Sequence, residues 1–292
     1  MYRRSITRLS RTAIVIAIDS SVSMQEWTMF YNTRMRKMDV ASLIANFAID
    51  ELVTRSTRTG NIRDYYDIAV LRYSGDGIEP ILADENNGMI HINSLYDKFP
   101  QPISYNIEQE NEDGTRCTIP ITLHEWATPK AYGTAPMYET LVHIKSLVMR
   151  WCNDSINRRN FPPMVINITD GCCSDADDAE LIDIATEIQS LETRDGATLL
   201  LNIYLANEED NTASVILPSM LEDVCGDDHD CELLYNMSST LPEDLEYMMR
   251  NIDGGASKRP HKCFARNAAI CEILTLTDIG TVRCNKDIRE EQ

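Results

Sequence analysis

The sequence of 292 residues has no apolar run approaching the ~20 residues that a helix needs to cross a bilayer, so no membrane span is expected. Positive charge is scarce. Lys and Arg number 27 against 46 Asp and Glu, a formal net charge of −19. Binding to nucleic acid or to an anionic membrane needs a basic face, and both are excluded as main roles. The acidity suits solubility and the binding of cations. Residues 1–11 are rich in Arg and Ser, but no apolar stretch of signal-peptide length precedes the first expected strand, which predicts a basic N-terminal arm and a cytoplasmic protein. The nine cysteines contain no CxxC pair. Cys172 and Cys173 are neighbours, a spacing that bridges only under strain. Cys225 and Cys231 flank His229 without a second close pair of ligands, so zinc is not expected there. The odd count predicts reduced, unpaired thiols. No repeat, low-complexity segment or shift of composition divides the chain.

Within that frame, residues 12–18 form a continuous β-branched and small apolar run, the pattern of a strand buried on both faces. Val40, Leu43, Ile44, Phe47, Ala48 and Leu52 fall on one stripe of an amphipathic helix. Residues 66–73 read as the second strand, and 78–82 as a short edge strand after the Ser74–Gly77 turn. Residues 84–130 are polar and proline-punctuated and read as a β-rich insertion. A helix over 137–151, a strand at 164–169, a helix capped by Ser174 and running to about Arg194, and a strand over 198–206 follow. A last strand is expected at 232–237, a helix from the capping box at 240–243 to 252, and one more helix over 264–274. The alternation predicts an α/β, doubly wound, mostly parallel sheet flanked by helices. The expected organisation is an arm (1–11), one domain (12–253) carrying the 84–130 insertion, and a C-terminal extension (254–292) packed upon it.

The first strand runs into "DSSVSM", residues 19–24, which sets a carboxylate and then hydroxyls at Ser21 and Ser23 at the strand's end. The strand over 164–169 runs likewise into Asp170-Gly171. In a doubly wound sheet of order 3-2-1-4-5-6 the first and fourth strands are neighbours, and ligands bind at the carboxyl ends of strands where the order reverses. Asp19 and Asp170 then stand side by side. Two carboxylates with neutral hydroxyls make a hard, oxygen-only site, suited to Mg²⁺, Mn²⁺ or Ca²⁺ and poorly suited to zinc.

"DSSVSM" resembles the D-x-S-x-S motif of von Willebrand factor type A (vWA) domains, and the order of strands fits that family over about residues 12–252. The family's metal-ion-dependent adhesion site adds a threonine from a later loop and an aspartate after the fourth strand. "YGTAPMYETL", residues 132–141, is similar to the threonine loop and selects Thr134; "ITDG", residues 168–171, selects Asp170. Two departures stand out: Val22 replaces a common glycine, and "GTAPMYE" carries one extra residue before its helix. The resemblance implies Asp19, Ser21, Ser23, Thr134 and Asp170 as metal ligands. It also implies a magnesium-type ion with a coordination position left for a Glu or Asp of a partner protein.

The expected function is therefore a cytoplasmic, divalent-metal-dependent protein-binding module and not an enzyme. The chain resembles intracellular members of the family, many of which serve with ATPases, chelatases or stress-response operons, which implies an ATPase or a stress-operon protein as partner. Its opening residues are similar to tellurite-resistance-associated members. The alternative is a metal-assisted phosphoryl or ester hydrolase using the same ion. That reading needs a positioned base or nucleophile, and the sequence shows no His or Lys motif adjacent to the expected ligands.

Overall fold

Strand β1 (Thr12–Asp19) is buried along its whole length. Its side chains part to two cores. Ile14, Ile16 and Ile18 pack with Val40, Leu43, Ile44 and Ala48 on one face of the sheet. Ala13, Val15 and Ala17 pack with Leu141, Ile144, Leu181 and Ile184 on the other. This is the period of two of a strand with no solvent face. Each large side chain so buried contributes ~1.5–3 kcal/mol relative to exposure. The computed structural model describes residues 2, 4, 6–30, 33–84, 88–110, 116–210, 214–245 and 260–268.

After β1 the chain forms a hairpin, β2 (Trp27–Phe30) and β3 (Thr33–Arg36), then helix α1 (Lys37–Ser56). The short pair β4 (Thr57–Arg58) and β5 (Asn61–Ile62) leads to β6 (Tyr66–Ser74), β7 (Gly77–Leu82) and β8 (Ile90–His91). A second hairpin, β9 (Pro102–Glu110) and β10 (Arg116–His124), precedes helix α2 (Met137–Asn153) and β11 (Met164–Thr169). Helix α3 (Asp178–Ser190), β12 (Leu199–Tyr204), β13 (Val215–Ile216), α4 (His229–Met237) and β14 (Phe264–Arg266) complete the described elements.

The main sheet has the order β13-β14-β12-β11-β1-β6-β7, with β8 also on β6. Pairings among β6, β1, β11, β12 and β14 are parallel, while β7, β8 and β13 run antiparallel to their neighbours. The fold is the expected α/β doubly wound sheet, and β1 lies between β6 and β11 as the order 3-2-1-4 requires. Ile18 stands opposite Ile168 and Asp19 opposite Tyr73, so β1, β6 and β11 end together.

Residues 84–130 include β8, which belongs to the main sheet, and the β9–β10 hairpin, which lies on the α1 side. Asp50 of α1 clamps its base: one oxygen accepts the Trp126 indole N–H at 2.8 Å, the other the His124 backbone N–H at 2.8 Å. Asn46 does the same one turn earlier, exchanging two hydrogen bonds with the Ala127 backbone.

Several local expectations are corrected. Residues 232–237 belong to helix α4, because Asp228 caps it by accepting the Cys231 N–H and so starts a helical turn where the apolar pattern alone reads as a strand. Residues 264–266 are strand β14, not the start of a helix: β12 would otherwise leave an unpaired edge. The rest of that expected helix, and most of the one after the 240–243 capping box, lies outside the described residues. Helix α3 is capped by Asp177, with Glu180 completing the capping box, and not by Ser174. The expectation of nine reduced thiols also fails. Cys225 and Cys231 form a disulfide, since the turn into α4 brings their Cα atoms to 5.3 Å. The thiol argument for a reducing compartment falls with it. No helix among the described residues is long and apolar enough to cross a membrane.

Candidate functional site

Asp19 is fully buried where β1 stops. Its Oδ1 accepts the backbone N–H of Ser21 at 2.8 Å, the local turn that an Asp makes with its own chain two residues on. Its Oδ2 accepts the Thr169 hydroxyl at 2.7 Å, and the Thr169 oxygen in turn accepts the Gly171 N–H at 3.0 Å. Thr169, a residue that the sequence offers only as the end of a strand, thus ties the two carboxylate-bearing strand ends together. The turn at Ser21 brings its Oγ to 3.0 Å from that of Ser23.

Asp170 follows β11 and is buried as well. Its Oδ1 accepts the Cys172 N–H at 3.4 Å, and its Oδ2 accepts from the Lys37 ammonium at 3.1 Å. The threonine loop closes over these two. Tyr132 N–H donates to Ser20 O at 2.8 Å, and Val22 N–H donates to Gly133 O at 3.0 Å. Ser174 N–H donates to Ala135 O at 3.0 Å, which links the threonine loop to the loop of Asp170. Gly133 takes a positive φ of 69° and backs on to Gly75, where an added Cβ would stand 2.8 Å from the Thr134 nitrogen. The Ser74–Gly77 turn, legible in the sequence only as turn chemistry, is thus a seat that only glycine fits. Thr134 itself is exposed on this loop. Thr140 is buried inside α2 and donates its hydroxyl to Pro136 O at 2.7 Å.

Electrostatics follow from the crowding of acids. Burial, with the Asp170 charge second, pushes the Asp19 carboxyl up from 3.8 to about 7. Burial and Asp19 also push the Tyr73 hydroxyl well up. Burial, then Asp170, pushes the Cys172 thiol up to about 11. Asp230 packs against Gly171 and is pushed up by burial and by Asp228. Sequence reasoning missed Lys37, Glu26, Gly75, Cys172 and Asp230; all but Cys172 come from separate elements, and no spacing within one segment signals them. Two buried carboxylates of which one is held off ionisation, beside a pair of hydroxyls, form a donor set of oxygen atoms that fits a hard divalent cation.

A second group of metal-type donors lies at the other end of the sheet. One donor atom each of Asp64, Asp67 and His91 lie within 4.8 Å of one another, a grouping able to hold a cation. A cation is already there. Arg11 Nη1 stands 2.8 Å from Asp64 Oδ2, 3.4 Å from Asp67 Oδ1 and 2.9 Å from His91 Nδ1. Trp151 donates its indole N–H to the other Asp67 oxygen at 2.8 Å. The cluster works as an ion-paired clasp between Arg11, just before β1, and the start of β6.

No protein-family model matches this chain, and no curated protein matches it. Among solved structures, it is similar to a von Willebrand factor type A protein from Catenulispora acidiphila at 15% identity and a TM-score of 0.38, over 66% of this chain and 33% of that one. It is similar to the SpRpn10 VWA domain at 10% identity and 0.36, over 66% of this chain and 76% of that domain. A third match is the pilus adhesin SpaC from Lactobacillus rhamnosus GG, at 9% identity and 0.47, over 98% of this chain and 32% of the adhesin. The chain thus spans about a third of the length of the first and third proteins. The fold is carried by the order and register of the strands described above, not by these likenesses.

Proposed function

We propose that the chain is a divalent-metal-dependent protein-binding module of the vWA type. Its Mg²⁺, or Mn²⁺ or Ca²⁺, would be held by Asp19, Ser21, Ser23, Thr134 and Asp170. The observation that carries this reading is the meeting of the loops of Asp19, Thr134 and Asp170 at one end of β1, β6 and β11, stitched by the Tyr132–Ser20, Val22–Gly133 and Ser174–Ala135 backbone bonds. The metal supplies a Lewis-acidic centre able to take a carboxylate from outside. The chain's own residues do the rest: Asp19 and Thr169 fix the strand ends, and Ser21 and Ser23 offer neutral oxygens that leave the ion electrophilic. A Glu or Asp on a partner protein is the matching ligand. The finer suggestion of an ATPase or stress-operon partner rests on the resemblance to intracellular family members alone.

The hydrolase alternative needs a proton acceptor beside the hydroxyls. Asp19, which accepts from Ser21, is in this reading taken up as a metal ligand. Of the other groups beside the site, Cys172 is a thiol pushed up to about 11 and Lys37 an ion-paired ammonium. Both suit binding better than proton transfer.

Calorimetric titration of Mg²⁺ and Mn²⁺ into wild type, Ser21→Ala and Asp170→Ala tests the site. Loss of one carboxylate is expected to weaken binding more than loss of one hydroxyl, because it removes charge as well as coordination. Undiminished binding in folded Asp170→Ala refutes the assignment. Capture of a partner from native lysate by wild type, lost with EDTA and in Asp19→Ala, tests the module reading; capture indifferent to both refutes it.

A further inference from the structure

Lys37 opens α1, and its side chain is only 3% exposed. An ammonium removed from water costs several kcal/mol unless it is paired, so its partners matter more than those of a surface lysine. Nζ donates to Asp170 Oδ2 at 3.1 Å and to Glu26 Oε2 at 3.3 Å. The two contacts are unequal. The Asp170 side chain is 1% exposed, whereas that of Glu26 is 58% exposed and screened by solvent. The backbone fixes the arrangement, because Lys37 N–H donates to Glu26 O at 2.9 Å and so ties the start of α1 to the end of the serine loop.

Asp19, Asp170 and Asp230 lie at this end of the sheet, and Lys37 is the buried ammonium paired with Asp170 there. We infer that Lys37 is the resident counter-cation of the site, competing with a divalent ion for Asp170 and setting the metal concentration at which the site fills. The inference rests on the metal-module reading and deepens it. The physical case is short. A dication held by Asp170 meets a like charge fixed 3.1 Å from that same carboxylate. Repulsion between the two cations lowers affinity in a buried setting far more than it would in water. In return, the ammonium compensates Asp170 while no metal is bound, so the fold does not depend on the ion. Glu26 moderates the effect, since it draws part of the ammonium's charge toward solvent.

The test is calorimetric titration of Mn²⁺ into wild type, Lys37→Met, Lys37→Gln and Asp170→Asn, with circular dichroism and thermal melts in EDTA and in Mn²⁺. Lys37→Gln keeps a donor for Asp170 and removes only the charge. Both Lys37 variants are expected to bind Mn²⁺ roughly tenfold more tightly than wild type, while melting lower in EDTA. Loosened packing alone does not raise affinity, so this sign separates the counter-cation from a merely structural lysine. Unchanged or weaker binding in folded Lys37 variants, with wild type binding and Asp170→Asn not, overturns the inference and leaves the metal site standing. Binding in Lys37→Met but none detectable in wild type supports it. No binding in any variant overturns the metal reading and the inference together. Should both Lys37 variants fail to fold, Glu26→Gln, altered at an exposed side chain, decides. Freed from Glu26, the ammonium holds Asp170 more firmly, and Mn²⁺ binding should weaken several-fold; unchanged affinity overturns the inference.

Discussion

Asp19→Asn is the sharpest perturbation of the site because it removes one negative charge and almost no volume. The side-chain oxygen can still accept the Ser21 N–H, and the new amide can face the Thr169 oxygen, which both donates and accepts in the native arrangement. What changes is the charge. Burial and Asp170 lift the Asp19 carboxyl from 3.8 to about 7. In the folded chain without metal the neutral form is therefore favoured more than in the unfolded chain. Between those two values the folded state binds more protons than the unfolded one, so stability falls as pH rises. Below 3.8 both states are protonated and Asp19 costs nothing; above about 7 both are ionised and the whole cost is present. The full difference corresponds to roughly 4 kcal/mol, of which we expect about 2–4 kcal/mol to appear on substitution.

Urea unfolding of wild type and Asp19→Asn in EDTA, at pH 4 and pH 8, reads this directly. The difference between the two proteins cancels the groups that do not interact with Asp19 and leaves Asp19 with its coupling to Asp170. At pH 8 the variant should be more stable by about 2–4 kcal/mol, and at pH 4 the two should nearly coincide. With Mn²⁺ at pH 8 the order should reverse, because wild type gains by mass action and the variant gains little. A variant less stable than wild type at both pH values in EDTA, by a similar amount, would show that Asp19 is a satisfied buried cap and not a strained carboxylate awaiting a cation.

Gly75→Ala should cost about 1–3 kcal/mol in chemical unfolding, because the new methyl meets backbone at 2.8 Å on the threonine loop and cannot be relieved by a side-chain rotation. The same substitution should weaken metal binding by displacing Thr134; a protein as stable and as avid as wild type would separate that loop from the site. Cys225→Ser opens a loop of sequence separation 6 and should lower stability by about 2 kcal/mol on the loop-closure account. Mapping of alkylated peptides without reductant should recover the two cysteines linked; free thiols at both positions would restore the fully reduced expectation.

What the sequence could and could not show has a physical pattern. The buried strand β1 and its aspartate are local facts: a β-branched run with no polar face has no other home than the centre of a sheet. Once β1 and β11 are strands of one doubly wound sheet, the pairing of Ile18 with Ile168 follows from topology and not from any residue. Residues 232–237 read as a strand because six residues show fewer than two turns of helical period, while the signal that decides for helix, the Asp228 cap, lies outside the apolar pattern. Strand β14 escapes the sequence for the opposite reason: three residues carry no period, and only the edge of β12 makes them a strand.

The site divides along the same line. Asp19, Ser21 and Ser23 lie within five residues, and their turn is written in the Asx preference of an aspartate at a strand's end. Asp170 becomes a neighbour of Asp19 only through the sheet. Lys37 lies further from legibility still. Its sequence position marks it as an ordinary polar residue at a helix start, and such a lysine is solvated in most proteins. Here the hairpin of β2 and β3 intervenes between the serine loop and α1 and carries the chain back on itself, with Trp27 opposite Arg36 and the Lys37 N–H on Glu26. The return of that hairpin points the first side chain of α1 inward, toward Asp170, where an amphipathic stripe alone would leave it in water. The charge balance of the site is thus set by a loop-closing element that bears none of the expected ligands, which is why a motif can name the oxygens of this site without revealing the cation already beside them.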